Sequence, residues 1–206
     1  MLFVHNGDLP DNIEIKSNII GVDTETMGLN PLRDRLCMVQ LSIDQDVHIV
    51  KINHIYREDM IDSTPILSSI LQTKRIKKVF HYAGFDVKFL IHWLGSEINN
   101  IACTKIMSKL ARTYTDKHGL KDICSELLSV ELDKTVGSSY WGGLEISESQ
   151  LNYASKDVYY LCPLFDVLRK RLIVEDRIKL ADKAFDAIVP IAIAQLAGFD
   201  LSIFGH

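Results

Sequence analysis

The first strongly patterned stretch of the chain is Ile19-Ile20-Gly21-Val22, an apolar run that ends in Asp23-Thr24-Glu25, as a buried strand does at a functional edge. Two further β-rich runs, Leu36 to Ser42 and Val47 to Ile52, flank the turn-forming Asp44-Gln45-Asp46, so these three segments predict an antiparallel meander. A shorter run, Leu2 to His5, enters a turn at Asn6-Gly7. The texture then changes: Pro65 to Gln72 reads as helix, Lys78 to His81 as strand, Phe85 to Leu94 as helix and Ile98 to Cys103 as strand. Helical periodicity dominates from Thr104, through Leu120 to Leu128, Ser147 to Val174 and Asp176 to Leu196. Ser147, followed three residues later by Gln150, is a capping-box start for the long helix. A meander followed by β-α units predicts an α/β fold, a mixed sheet with helices on its faces. No linker, repeat or low-complexity segment interrupts it, so the expectation is one domain over residues 1–206, with its core at about 18–174 and a C-terminal helical segment at 175–206.

Composition narrows the class. With 206 residues, 47% hydrophobic and 24% charged, the chain has an ordinary globular make-up, which excludes disordered, collagen-like and disulfide-stapled proteins. The apolar run from Ala187 to Gly198 is too short for a membrane span and holds Pro190, so no membrane partner is expected. The first residues reach Asn6-Gly7-Asp8 too soon for a signal peptide. Cys37, Cys103, Cys124 and Cys162 lie far apart with no Cys-x-x-Cys pair, which predicts reduced buried thiols in a cytoplasmic protein and no structural zinc. The net charge of −4 hides an asymmetry: Lys74 to Lys121 carries +7 and the remainder −11. Such a basic middle fits a phosphate-bearing partner, or equally a set of solvated helix faces.

Three constellations could carry chemistry. Asp23 and Glu25 stand at i and i+2 of a strand and so project to one side, where two repelling carboxylates invite a divalent cation. Chance weighs against reading much into the pair alone, since 18 Asp and 9 Glu make about one Asp-x-Glu expected at random. Tyr153 and Asp157 share a helix face at i and i+4, but Tyr82 and Asp86 repeat that spacing, so the spacing decides nothing. Asp86 falls in the first turn of a helix that directly follows a strand, where it either caps the helix or points into the cleft at the strand's end.

Order and context change the picture. The motifs Val22-Asp23-Thr24-Glu25-Thr26-Met27-Gly28-Leu29, His81-Tyr82-Ala83-Gly84-Phe85-Asp86 and Tyr153-Ala154-Ser155-Lys156-Asp157 together resemble the DEDD 3′-5′ exonucleases of the tyrosine subclass, the ribonuclease D-like enzymes. Cys103-Thr104-Lys105-Ile106, the run from Arg112 to Lys121 and the closing Asp200 to His206 are similar to the nano-RNase C branch. The resemblance covers nearly the whole chain, without the extra helical domains of full-length ribonuclease D. It implies a ribonuclease H-like fold and a two-metal-ion 3′-5′ exoribonuclease that uses Mg²⁺ or Mn²⁺ to hydrolyse short single-stranded RNA, dinucleotides included, to nucleoside monophosphates. It implies that Asp23 bridges both ions, that Glu25 and Asp157 hold one, that Asp86 supports the other largely through water, and that Tyr153 orients the attacking water. Thr24, Leu29 and His81 then fall to substrate binding, Leu29 as an apolar wedge between terminal bases. Two other readings fit the same motifs: an exonuclease acting mainly on longer RNA or on DNA 3′ ends, and a non-catalytic nucleic-acid-binding module of the same fold.

One segment departs from the family. Relatives carry a Gln-rich turn and then Ser-Asp-Trp where this chain reads Thr135-Val136-Gly137-Ser138-Ser139-Tyr140-Trp141, which puts substrate contacts or rate there in question. The stretch Pro190 to Ala197 is apolar nearly all round, more than one face of a small domain buries. With the nano-RNase C resemblance, that predicts a homo-oligomer, an octamer.

Overall fold

The computed structural model describes residues 1–53, 63–132, 139–143 and 145–204. The strands are β1 (Leu2–Asn6), β2 (Ile19–Thr26), β3 (Leu36–Ile43), β4 (Asp46–Lys51), β5 (Lys77–Phe80) and β6 (Ile101–Cys103). They form one six-stranded sheet in the order β1-β4-β3-β2-β5-β6. The predicted meander is there: β2, β3 and β4 pair antiparallel, and Asp44 and Gln45 turn between β3 and β4 with positive φ, as a tight hairpin requires. On one side β1 joins β4 in parallel; on the other, β5 and β6 extend β2 in parallel, so the sheet is mixed.

The helices are α1 (Pro65–Gln72), α2 (Ala83–Leu94), α3 (Thr104–Ala111), α4 (Leu120–Leu128), α5 (Glu148–Tyr159), α6 (Leu161–Val174), α7 (Ile178–Asp186) and α8 (Ile188–Leu196), followed by a 3-10 turn at Leu201–Phe204. Both long helices expected from periodicity are broken. In each case a proline lies in the first turn after the break, Pro163 in α6 and Pro190 in α8. Within a continuous helix its ring would clash with the carbonyl four residues back, whereas in a first turn it is tolerated. Strand β6 starts three residues later than its apolar run, and α2 starts two residues earlier than the periodicity suggests.

Residues alternate along β2, so its two faces meet different helices. Gly21 faces the α5–α6 junction so closely that a Cβ on it would stand 2.7 Å from the Val158 carbonyl oxygen. Thr24, on the opposite face, meets α2. The main core runs through the sheet and both helical layers, and a small satellite cluster of Ile123, Cys124, Leu132 and Leu164 lies under α4. Helix α8 packs along α2, burying Ile188 and Ala192, while Ile193 and, beyond the helix, Phe199, Leu201 and Ile203 stay exposed.

Not all of the basic middle of the chain reaches the surface. Lys78 is fully buried and donates to the Thr73 carbonyl at 2.6 Å, where it closes the C-terminal end of α1. Arg112 is buried too, donating to Ser108 Oγ at 2.9 Å, to the Lys117 carbonyl at 2.6 Å and to Glu126. These two cations tie the interior together rather than await a phosphate.

Because Gly21 sets how closely α5 approaches β2, Gly21→Ala is expected to push the α5–α6 junction outward at about 1–3 kcal/mol of stability. Thermal unfolding should show a melting temperature lower by about 2–4 °C for each kcal/mol lost. An unchanged melting temperature would mean that the junction does not rest on this contact.

Candidate active site

The carboxyl ends of the parallel strands β2, β5 and β6 share one edge of the sheet, and the chemistry-bearing residues gather there. Strand β2 delivers Asp23 and Glu25 to the face covered by α5, and α5 delivers Asp157. One carboxylate oxygen from each of the three lies within 4.8 Å of the others. Asp86 reaches the cluster from the other face of the sheet, in the first turn of α2, and is buried. The Thr24 hydroxyl donates to Asp86 Oδ1 at 2.7 Å. Asp86 is therefore a cleft residue held from β2, and its place near a helix N-terminus favours its charge as well. Tyr153 stands one turn before Asp157 on the same helix, close enough for each to shift the other's proton affinity.

Like charges this close cannot all ionise unaided. At 4.8 Å and an effective dielectric constant of about 20, each pair repels by about 3 kcal/mol, so three pairs reach on the order of 10 kcal/mol, a domain's whole stability. The acids respond by holding protons. Burial, then the charges of Asp86, Glu25 and Asp157, raises Asp23 well above the carboxylate range. Burial, then Asp157 and Asp86, raises Glu25 to about 9. Burial lifts Asp86 to about 7 against the Thr24 hydrogen bond, and Asp157 to about 6 against that of Tyr153. The Tyr153 hydroxyl is itself pushed up, by burial first and then by Asp157.

The rim is built from three neighbouring segments. After a register shift between Glu25 and Thr26, the loop from Met27 to Arg35 leaves the sheet, and it carries Leu29, 80% exposed. Trp93 pins that loop by donating to the carbonyls of Pro31 and Asp34 at 3.2 and 3.1 Å. At the end of β5, His81 pairs through Nδ1 with the Thr104 hydroxyl at 2.9 Å. Tyr82 follows with a left-handed φ of 69°, a strained state for an aromatic residue. Its exposed ring lies under the Lys105 ammonium at 4.2 Å. The segment 139–143 closes the third side. Trp141 is buried with its ring centroid 6.2 Å from that of Tyr153, while Tyr140 is exposed. This segment borders a cavity of about 810 Å³ lined by Met27, Arg35, Cys37, Tyr140 and Trp141 among others. Gly137 and the rest of the departing turn before Ser139 lie outside the described residues.

Most residues singled out in the sequence meet at this edge: Asp23, Glu25, Asp86, Tyr153 and Asp157 at the centre, His81 and Leu29 around it. Thr24 is the exception in kind, because its hydroxyl is engaged by Asp86 and only its backbone remains for a ligand. Three contributors left no mark in the sequence pattern: Gly21, the strained Tyr82 and the Trp141 contact with Tyr153. Nothing in periodicity or spacing signals a backbone approach, a left-handed aromatic residue or a ring contact across twelve residues.

A family model described as 3′-5′ exonuclease matches residues 9–173. The chain belongs to this 3′-5′ exonuclease family. Among curated exonuclease relatives, ribonuclease D of Zymomonas mobilis is 27% identical over 157 residues, which cover 76% of this chain and 39% of that protein. The chain thus spans about two-fifths of the length of that relative. Structures of Brucella melitensis NrnC are similar over 100% of this chain and 98% of theirs at 40% identity, with a TM-score of 0.93; one is bound to pGG and one holds Mg²⁺, each with a TM-score of 0.91. Escherichia coli RNase D, at 20% identity over 85% of this chain and 45% of its own, shares the fold with a TM-score of 0.74. The fold is the ribonuclease H-like mixed sheet with flanking helices that the motifs implied, and among the described residues no helix is long and apolar enough to cross a membrane.

Two measurements follow from the electrostatics of this site. In metal-free protein near pH 7, Asp23→Asn removes, at constant shape, an acid that must either repel its neighbours or take up a proton on folding; a gain of about 1 kcal/mol would raise the melting temperature by about 2–4 °C. A lower melting temperature in chelator would show that Asp23 stabilises the empty fold. His81 is held down to about 4, by burial first and then by the Lys105 charge. Its folded value lies below the ~6.5 of an unfolded histidine, so its contribution to stability is full above about pH 6.5 and declines as pH falls towards 4. Imidazole NMR should find His81 still neutral at about pH 5.5, where an exposed histidine is mostly charged.

Proposed function

We propose that this chain is a two-metal-ion 3′-5′ exoribonuclease that hydrolyses short single-stranded RNA, down to dinucleotides, to nucleoside 5′-monophosphates. The observation that carries this reading is the convergence of Asp23, Glu25 and Asp157 within 4.8 Å, with Asp86 and Tyr153 beside them. An all-carboxylate donor set suits Mg²⁺ or Mn²⁺ and not zinc, and its mutual repulsion is what a cation would relieve. Asp23, Glu25 and Asp157 would hold one ion, and Asp23 with Asp86 the other. When bound, such a pair supplies an activated water, neutralises the phosphate and stabilises the leaving oxygen.

The chain's own groups do the positioning. Tyr153 would orient the attacking water through its hydroxyl; in the empty site, burial and the Asp157 charge disfavour loss of its proton. Leu29, exposed at the loop, would wedge between the terminal bases. His81 and the backbone of Thr24 would take part in holding the substrate beside the acids. The similarity to a protein solved with pGG supports a two-nucleotide substrate. We further infer a single domain over residues 1–206 and a cytoplasmic location. We also infer a homo-oligomer, an octamer by the nano-RNase C resemblance, in which the exposed Ile193, Phe199, Leu201 and Ile203 of segment 175–206 meet another copy.

Tyr153→Phe keeps the ring and should cost on the order of 10²-fold in turnover with the melting temperature unchanged. Asp157→Ala should abolish hydrolysis. A digestion time course on 5′-labelled RNAs of two to about twenty nucleotides, a range that spans one binding site, tests the substrate. Dinucleotides should be cleared at least as fast as longer RNAs; dinucleotides that accumulate as an end product would move the activity to longer substrates, and no cleavage with either metal would reduce the chain to a binding module.

A further inference from the structure

Among the described residues, the buried side-chain polar atoms that find no hydrogen-bond partner are Arg35 Nε, Trp141 Nε1 and both amide atoms of Gln40. Gln40 is the extreme case. It is 0% exposed, in the middle of β3, and neither its oxygen nor its nitrogen is satisfied. Native interiors rarely tolerate this, because a buried amide that has lost water and gained nothing is a direct loss of stability, and an apolar side chain of the same size would avoid it.

The place of Gln40 suggests what the loss is exchanged for. In the antiparallel register of β2 and β3, Gln40 is the direct partner of Asp23, and on its other side it pairs with Ile49. Paired residues share a face of the sheet with Cβ atoms about 4.5–5.5 Å apart, so the longer glutamine reaches the neighbouring carboxylate. That face is the one Gly21 presents to Val158, covered by the helix that carries Tyr153 and Asp157. An ionised carboxylate has about four lone-pair sites and no hydrogen to give, so an oxygen engaged by a cation still needs an outer donor to fix its plane. Thr24 plays this part for Asp86; Gln40 is the unengaged donor beside Asp23.

We propose that Gln40 is a positioning residue: once the acidic cluster holds a divalent cation, its side-chain N–H donates to the Asp23 carboxylate and sets the orientation in which that carboxylate meets the ion. This rests on the reading of the cluster as a cation site. The orphaned amide of the empty protein is then the donor of the loaded one, and the sheet carries a locally unfavourable residue for the sake of the site.

The test separates stability from metal binding. Gln40→Met removes both amide groups at nearly constant volume, so the chelated variant should melt at or above the wild-type temperature. Its Mn²⁺ affinity, read by electron paramagnetic resonance titration, should be about 10–100-fold weaker. In the wild type, the side-chain amide resonances of Gln40 should shift and gain protection from solvent exchange when Mg²⁺ is added, a readout that needs no variant to fold. Equal Mn²⁺ affinity in the two proteins, or amide resonances that ignore Mg²⁺, overturns the proposal. A variant that melts well below wild type overturns it too and assigns Gln40 to the core. A wild type that binds no Mn²⁺ at all overturns the cation reading itself, and is thereby told apart from a failure of Gln40 alone.

Discussion

Repulsion between carboxylates that the fold forces together is the constraint on which the rest of this structure depends. Four acids reach one spot from two faces of a sheet and from two helices, and none of them would choose that company in water. The surroundings are arranged to hold them there. Gly21 gives up a side chain so that the α5–α6 junction can lie on β2, which sets Asp157 against Asp23. Asp86 is fixed by a hydroxyl from the strand it approaches, and Asp157 has the Tyr153 phenol one turn before it on its own helix. The protein spends part of its folding free energy on a cluster that is unfavourable when empty, a common arrangement at sites whose ligand is a cation.

How far this could be read from the sequence depended on the range of the forces involved. Strand β2 and the hairpin after it were legible because apolar runs bounded by turn residues depend only on neighbours in the chain, and α1 and α4 fell where periodicity placed them. The carboxylate pair on β2 and the tyrosine–aspartate pair on α5 were visible as spacing, yet their meaning came from resemblance, since Tyr82 and Asp86 show the same spacing with a different outcome. Tyr82 ends up strained at the rim, and Asp86 bonds to Thr24 instead. The two broken helices were missed although Pro163 and Pro190 stood in plain view, because the apolar stripe continues across both breaks. Lys78 and Arg112 misled most. A count of charges places cations at the surface, whereas these two are buried and satisfy carbonyls and, for Arg112, the carboxylate of the exposed Glu126, and only the tertiary structure supplies those partners.

Gln150 does more than start a helix. Its side-chain oxygen accepts from the Ser147 backbone to complete the capping box, while its nitrogen donates to the Tyr140 carbonyl and to Ser139 Oγ, both at 3.1 Å. The segment that departs from the family pattern is thus fastened to the first turn of the helix that bears Tyr153 and Asp157, three and seven residues further on. Sequence drift in that segment is therefore not confined to the rim of the cleft: it has a handle on the angle at which the phenol and the carboxylate are presented. A side chain outside the acidic cluster thus bears on its geometry while every acid stays untouched.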